Sequence, residues 1–243
     1  MKALFLKELN LFFSNITGYL VIIIFLITNS LFLWIFPGNY NVLESGYANL
    51  DTFFFIAPWV FLFLVPAITM RSIADERKAG TLEILFTKPL TNLQIVLAKY
   101  LASLALVLFS LLPTLLWFWS VWMLGNPPGS IDTGGTWGSY IGLFFLAAIY
   151  VAIGIFASSL TDNQVIAFII AVLFSFFIYI GFDAISGLAV FSGLQTEIMA
   201  LGISAHYNSM SRGVIDIADV AYFLSTIALF ILFTKHMVQR LKV

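Results

Sequence analysis

Cysteine is absent from this sequence of 243 residues, which excludes disulfides, thiolate metal sites and a nucleophilic thiol. Histidine is nearly absent: His206 and His236 cannot build a metal site by themselves. Charge is scarce too, at 9% of residues, where a soluble domain carries about a quarter. With 61% hydrophobic and 17% aromatic residues, the chain reads as an all-α integral membrane protein. No G-x-x-x-x-G-K-[ST] phosphate loop occurs, so the chain does not cradle ATP in that manner, and any ATP-driven engine is a separate polypeptide. The apolar runs hold almost none of the carboxylates or histidines that an ion-coupled carrier uses as relays. Asp183 lies near the outer end of the fifth run, where a helix-end role outweighs a relay. Ser158, Ser159 and Ser175 have no histidine beside them in the runs, so they read as helix-bonding serines rather than nucleophiles.

What is present is hydrophobic length. Six spans follow from hydropathy: Ile16–Phe36, Phe53–Met70, Tyr100–Leu124, Trp137–Leu160, Val165–Ile185 and Ala218–Thr234. Each is close to the roughly 20 helical residues that cover about 30 Å of hydrocarbon. Asp51 is an expected N-cap, and Thr91 to Gln94 and Thr161 to Gln164 have capping-box spacing. Pro58, Pro66 and Pro113 are expected to kink spans two and three. Trp34, Trp59, Trp122 and Trp137 lie near span ends, as interfacial anchors do.

Positive charge sets the expected orientation. With both termini inside, the inner segments hold Lys2, Lys7, Arg71, Arg77, Lys78, Lys88, Lys99, Lys235, Arg240 and Lys242, and only Arg212 is left outside. Residues 1–15 are too polar to cross lipid, and Lys7, Asn10 and Ser14 share a helical face. They suit an interfacial helix or the charged flank of the first span. A secretory signal is disfavoured by the length of the following run and the lack of an A-x-A-like site. In the outer loop 186–217, Leu188 to Ala200 is too short to span and reads as a helix dipping half-buried into the outer leaflet, with a surface helix as the alternative. Arg212, Asp216 and Asp219 are expected to pair at the start of span six. One transmembrane domain over 1–243 accounts for the whole chain.

Charge is gathered in residues 71–99, RSIADERKAGTLEILFTKPLTNLQIVLAK, between spans two and three. Gly80 permits a helix stop. Thr81 is placed to cap a new short helix, with Glu83 in its first turn and Lys88 in its last, and Pro89 ends it. Leu82, Leu85 and Phe86 fall on one face at i, i+3 and i+4. So short a helix needs a surface, either lipid headgroups or a groove in another protein. Asn29, Ser103, Ser110 and Thr114 are mildly polar span positions that suit either a pathway or helix packing.

Pro66, Thr69, Met70, Arg71, Glu76-Arg77, Gly80-Thr81-Leu82-Glu83, Leu85, Lys88-Pro89 and Lys99 together resemble the signature of ABC-2-type transporter permeases. Within them the chain is similar to the F subunit of the gliding-motility-associated permeases. That likeness lies in Gly18 to Val21, Leu31 to Trp34, Ala57-Pro58-Trp59, Ser158 to Phe168, Ser211 to Asp216, Asp219 and Tyr222. The resemblance implies six spans with both ends inside, an N-terminal interfacial helix, re-entrant helices before the last span, and a cytoplasmic coupling helix in residues 71–99. It also implies a cytosolic ABC ATPase dimer that binds ATP and Mg²⁺, a second permease subunit, and no cofactor in this chain. Polar contacts to the ATPase are expected from Glu76, Arg77, Glu83 and Lys88, an apolar anchor from Leu82, Leu85 and Phe86, and helix ends fixed by Gly80 and Pro89. The competing readings are a secondary transporter or channel without an ATPase, and a mechanical or scaffolding membrane subunit.

Overall fold

The computed structural model describes residues 1–191 and 193–241. Lys242, counted among the inner cations, and Ser192 of the third outer loop lie outside the described residues.

Helix α1 (Lys2–Ser14) stops at Asn15, whose backbone turns extended and whose Nδ2 donates to the Leu11 carbonyl at 3.0 Å. Helix α2 (Ile16–Ser30) then folds back beside it and closes in a π turn, Leu31–Ile35. Gly18 permits this return, because a Cβ there would stand 2.5 Å from the Phe12 carbonyl oxygen. Helix α3 (Asp51–Thr69) leads into two short helices, α4 (Ala74–Lys78) and α5 (Thr81–Phe86). Helices α6 (Asn92–Leu111) and α7 (Leu115–Leu124) are joined by a 3-10 turn, and α8 (Thr133–Leu160) follows. Helix α9 (Gln164–Phe176) passes through a π turn, Phe177–Gly181, into α10 (Phe182–Ser186). Helices α11 (Gln195–Met199) and α12 (Ile203–Met210) precede the final helix, α13 (Ile217–Arg240).

Six helical stretches are long and apolar enough to cross a bilayer: Ile16–Ile35, Asp51–Lys78, Asn92–Leu124, Thr133–Leu160, Gln164–Ser186 and Ile217–Arg240. All six expected spans are present, and no strand occurs among the described residues. Their boundaries differ for local reasons. The Thr91–Gln94 capping box forms as expected, and it starts the third helix eight residues before Tyr100, so Lys99 sits inside α6 rather than in a loop. Asp51 is the first helical residue instead of the cap and accepts from Asn49 at 2.8 Å. At the fifth span the cap is Asn163, which accepts from Val165 and Ile166, while Thr161 bonds only the Asn163 amide. Pro113 breaks the α ladder into the 3-10 turn, whereas α3 stays continuous through Pro58 and Pro66.

Helix α8 is the axis of the bundle: 78% of its most apolar window is buried inside the chain, against 22% for the fifth span. Small residues let its neighbours approach. A Cβ on Gly154 would collide with the Thr69 side chain of α3, whose hydroxyl already bonds the Val65 carbonyl of its own helix at 2.9 Å. Gly154→Ala is therefore expected to destabilise the bundle by about 1–3 kcal/mol, read as a lower melting temperature in detergent. Adding Thr69→Ala removes the hydroxyl clash but leaves Thr69 Cβ 2.9 Å from the new methyl, and should recover part of that loss.

The helix expected over Leu188 to Ala200 is not continuous: among the described residues that stretch holds a 3-10 turn and the five-residue α11, with no residue of either buried against the rest of the chain. The buried element is α12, whose Ile203, Ser204, Tyr207 and Met210 pack inward. Its Tyr207 hydroxyl donates to the Phe54 carbonyl at 2.7 Å, and Met210 and Tyr207 rest against Gly142 of α8. The pairing expected among Arg212, Asp216 and Asp219 does not form. Asp216 caps α13 by accepting from Ala218, and Asp219 lies 2.6 Å from His206 Nδ1. His206 Nε2 faces the Ala200 carbonyl at 2.9 Å, so both ring nitrogens meet acceptors and the imidazole fastens the α11–α12 loop to the last span.

Candidate functional site

The charged segment folds as two helical turns held against the ends of α1, α3, α6 and α8. Ala79 ends α4, and Gly80 adopts a left-handed backbone (φ 66°) that starts α5. The cap is thus Gly80; Thr81 is the first helical residue, and its hydroxyl donates back to the Glu76 carbonyl at 3.3 Å. Glu83 lies in the first turn, as expected for an acid at a helix N-terminus. Lys88 and Pro89 fall just beyond the last helical residue, Phe86, so Lys88 is not in the final turn.

The faces divide differently from expectation. Leu82 is 4% exposed and belongs to the main core of the chain. Leu85 and Phe86 are half-buried against Leu4 and Phe5 of α1 and Ile95 and Ala98 of α6. The apolar face expected to anchor a partner is therefore turned onto the chain's own helices. Burial is the physical reason, because two neighbouring helices end close enough to cover it. The outward face carries Ile84, 61% exposed, with Glu83, Thr87 and Lys88. Arg77 and Lys78 are also exposed, and neither they nor Glu83 and Lys88 form an ion pair among the described residues.

Glu76 is likewise turned inward. Lys99 of α6, 1% exposed, places Nζ 2.9 Å from Glu76 Oε2, 3.2 Å from Glu8 Oε1 and 2.7 Å from the Ser72 carbonyl that accepts from it. Lys7 joins the cluster, 3.2 Å from Glu76 and 3.4 Å from Glu8. Partial burial alone would lower the Lys7 ammonium, but the Glu76 and Glu8 carboxylates outweigh it and hold its pKa above the ordinary lysine value. Four charges thereby bind α1, α4 and α6 into one unit. Glu8 and Lys7 carry no signal of this role in sequence beyond a lone acid on an otherwise apolar helix face.

Ser158, near the end of α8, is the second overlooked residue. Its Oγ accepts from the backbone amides of Ile73 and Ala74, both at 3.0 Å, and donates to the Met70 carbonyl at 2.9 Å. A helix of five residues cannot satisfy its own first amides, and a buried serine from another span supplies the acceptor. Arg71 Nε adds a hydrogen bond to Gln164 at the start of α9, 3.1 Å away. Ser158→Ala leaves two buried amides unpaired at about 1–3 kcal/mol each. The expected result is faster hydrogen exchange across residues 71–78 while the spans stay protected.

The four residues suggested for a pathway lie buried within this chain. Asn29, Ser103, Ser110 and Thr114 are all 0–1% exposed in the packed core. Asn29 bonds the Phe25 carbonyl, Ser110 that of Val107, and Thr114 that of Leu111 with the Tyr140 hydroxyl nearby at 3.1 Å. The Asn29 amide nitrogen and the Ser110 and Thr114 hydroxyls serve their own helices, as isolated polar residues in spans commonly do, whereas the buried Ser103 hydroxyl has no hydrogen-bond partner among the described residues.

Five apolar spans around a sixth, α8, with a compact charged unit between the second and third, define a polytopic membrane protein. Residues 38–236 match the family described as ABC-2 family transporter protein, and the chain belongs to that family. Permeases of this family generally work with a cytosolic ABC ATPase. No curated protein matches the chain.

Proposed function

We propose that this chain is the membrane-spanning half of an ATP-driven ABC-2 transporter and that residues 71–99 receive the force of a separate cytosolic ATPase dimer. In this reading both termini and the charged segment face the cytoplasm, in accord with the basic residues gathered there. The membrane is the bacterial inner membrane. A second permease, identical or paralogous, completes the pathway, since the polar span residues Asn29, Ser103, Ser110 and Thr114 are buried within this chain. The observation that carries the proposal is the division of the α5 surface: one face sealed onto α1 and α6, the other presenting Ile84 between Glu83 and Lys88.

Mechanically, α5 is a short handle fixed to three longer levers. Leu85 and Phe86 seat it on α1 and α6, Lys99 ties the adjoining α4 through Glu76 to α6 and α1, and Ser158 ties α4 to α8. Displacement of the handle by nucleotide-driven closure of the ATPases moves these helix ends together rather than unwinding the loop. ATP and Mg²⁺ belong to the partner. Exporter-like transport linked to gliding motility is the finer reading, supported by the sequence motifs Ser158 to Phe168 and Ser211 to Asp216. The test is co-purification of the ATPase from membranes extracted in mild detergent. Recovery of the permease free of any ABC ATPase, under conditions that preserve its fold, overturns the proposal in favour of an ATPase-independent carrier.

A further inference from the structure

The end of the bundle remote from the charged segment holds a cavity of about 580 Å³, within the range of small-molecule sites. It lies between the start of α3, the far end of the fifth span and α12. It is lined by α3 from Asp51 to Trp59, which places it roughly 18–30 Å along the helix from Arg71.

Five aromatic residues wall it: Phe54, Phe55, Trp59, Tyr179 and Tyr207. Trp59 and Tyr179 meet edge to face, with ring centres 5.9 Å apart. Tyr179 sits within the π turn Phe177–Gly181, a departure from α geometry often found at functional sites. Two carboxylates, Asp51 and Asp183, and one cation, Arg212, complete the lining. Asp183 Oδ2 accepts from Ser204 at 2.5 Å, while its Oδ1 is buried and meets no donor. Arg212 is exposed and forms no ion pair among the described residues.

Each feature narrows the ligand. A buried carboxylate oxygen without a donor is costly and is relieved by an N–H group that carries positive charge. Aromatic walls favour the same cation through their ring faces. A purely cationic ligand leaves Arg212 unanswered, and a purely anionic one is opposed by two carboxylates against one guanidinium. A zwitterion answers both. The cavity also lies where two spans reach the end of the hydrocarbon, the depth of lipid headgroups.

We propose that this cavity binds a primary ammonium joined to a phosphate ester, the ammonium on Asp183 between Trp59 and Tyr179 and the phosphate on Arg212. Phosphatidylethanolamine and soluble phosphoethanolamine share that chemistry. The site stands apart from the coupling reading, and its test needs neither nucleotide nor ATPase.

The full-length permease in detergent is titrated with dihexanoylphosphatidylethanolamine, dihexanoylphosphatidylglycerol and O-phosphoethanolamine, with bound adducts counted by native mass spectrometry. The expected result is retention of the ethanolamine lipid over the glycerol lipid. Asp183→Asn should weaken it about tenfold, the worth of one charge-assisted hydrogen bond, and Asp183→Glu should keep part of it. Competition by O-phosphoethanolamine at equal concentration identifies a soluble source, and its failure to compete identifies the lipid; both outcomes support the site. Trp59→Leu, remote from the Asp183 hydrogen bonds, should also weaken binding, which guards against an Asp183 variant that fails to fold. Equal retention of the two lipids, or ethanolamine binding untouched in folded Asp183→Asn and Trp59→Leu, overturns the proposal.

Discussion

Lys99→Met is expected to destabilise the membrane domain by about 3–5 kcal/mol, the usual cost of leaving a buried ion cluster without one of its partners. The side chain is 1% exposed and its ammonium is shared by Glu8, Glu76 and the Ser72 carbonyl. Methionine fills much the same volume, so the loss is electrostatic rather than a cavity. Glu8 and Glu76 then face each other with only Lys7, itself half in solvent, to compensate. Adding Glu8→Gln and Glu76→Gln removes the uncompensated charge, and the triple variant should regain most of the melting temperature. A Lys99→Met protein that melts with the parent in detergent would show that α1, α4 and α6 are held by their apolar contacts alone.

Ile84→Asp should do the opposite: leave the permease's own stability unchanged and abolish retention of the ATPase. Ile84 is 61% exposed and contributes nothing to the core. Its burial by a partner is worth about 1.5–3 kcal/mol, and a carboxylate stranded in that interface costs more. Together these amount to roughly a hundredfold or more in affinity. Leu82→Asp is the contrasting variant, since Leu82 is 4% exposed; it should lower the melting temperature before any partner is added. Loss of ATPase from Leu82→Asp but not from Ile84→Asp would sink the proposed docking face.

The contrast between these residues shows what the sequence carried. Hydropathy located all six spans because hydrocarbon thickness imposes a length that composition alone reveals. The capping box at Thr91 was legible because its partners are three residues apart. Which face of α5 points outward was not legible, because Leu82, Leu85 and Phe86 look alike as an anchor whether the surface is a partner or the chain's own α1 and α6. Long-range pairings were hidden for the same reason: Glu8 to Lys99, Ser158 to Ile73 and His206 to Asp219 depend on tertiary approach. Asn29 and Thr114 were open between lining and packing, because the sequence does not show that the Phe25 and Leu111 carbonyls accept from them.

The π turn at Phe177–Gly181 has a consequence for chain length as well as for chemistry. It fits one additional residue into a single coil of the helix, so everything after it keeps the phase that ordinary winding would give with one residue fewer. Removing one residue from the turn would restore ordinary winding and leave Asp183 facing the same side of the bundle. Removing one residue from the ordinary turns of α9 would instead rotate Asp183 by about 100°, away from Trp59. Angular phase, rather than the identity of any single side chain, is what aims that carboxylate.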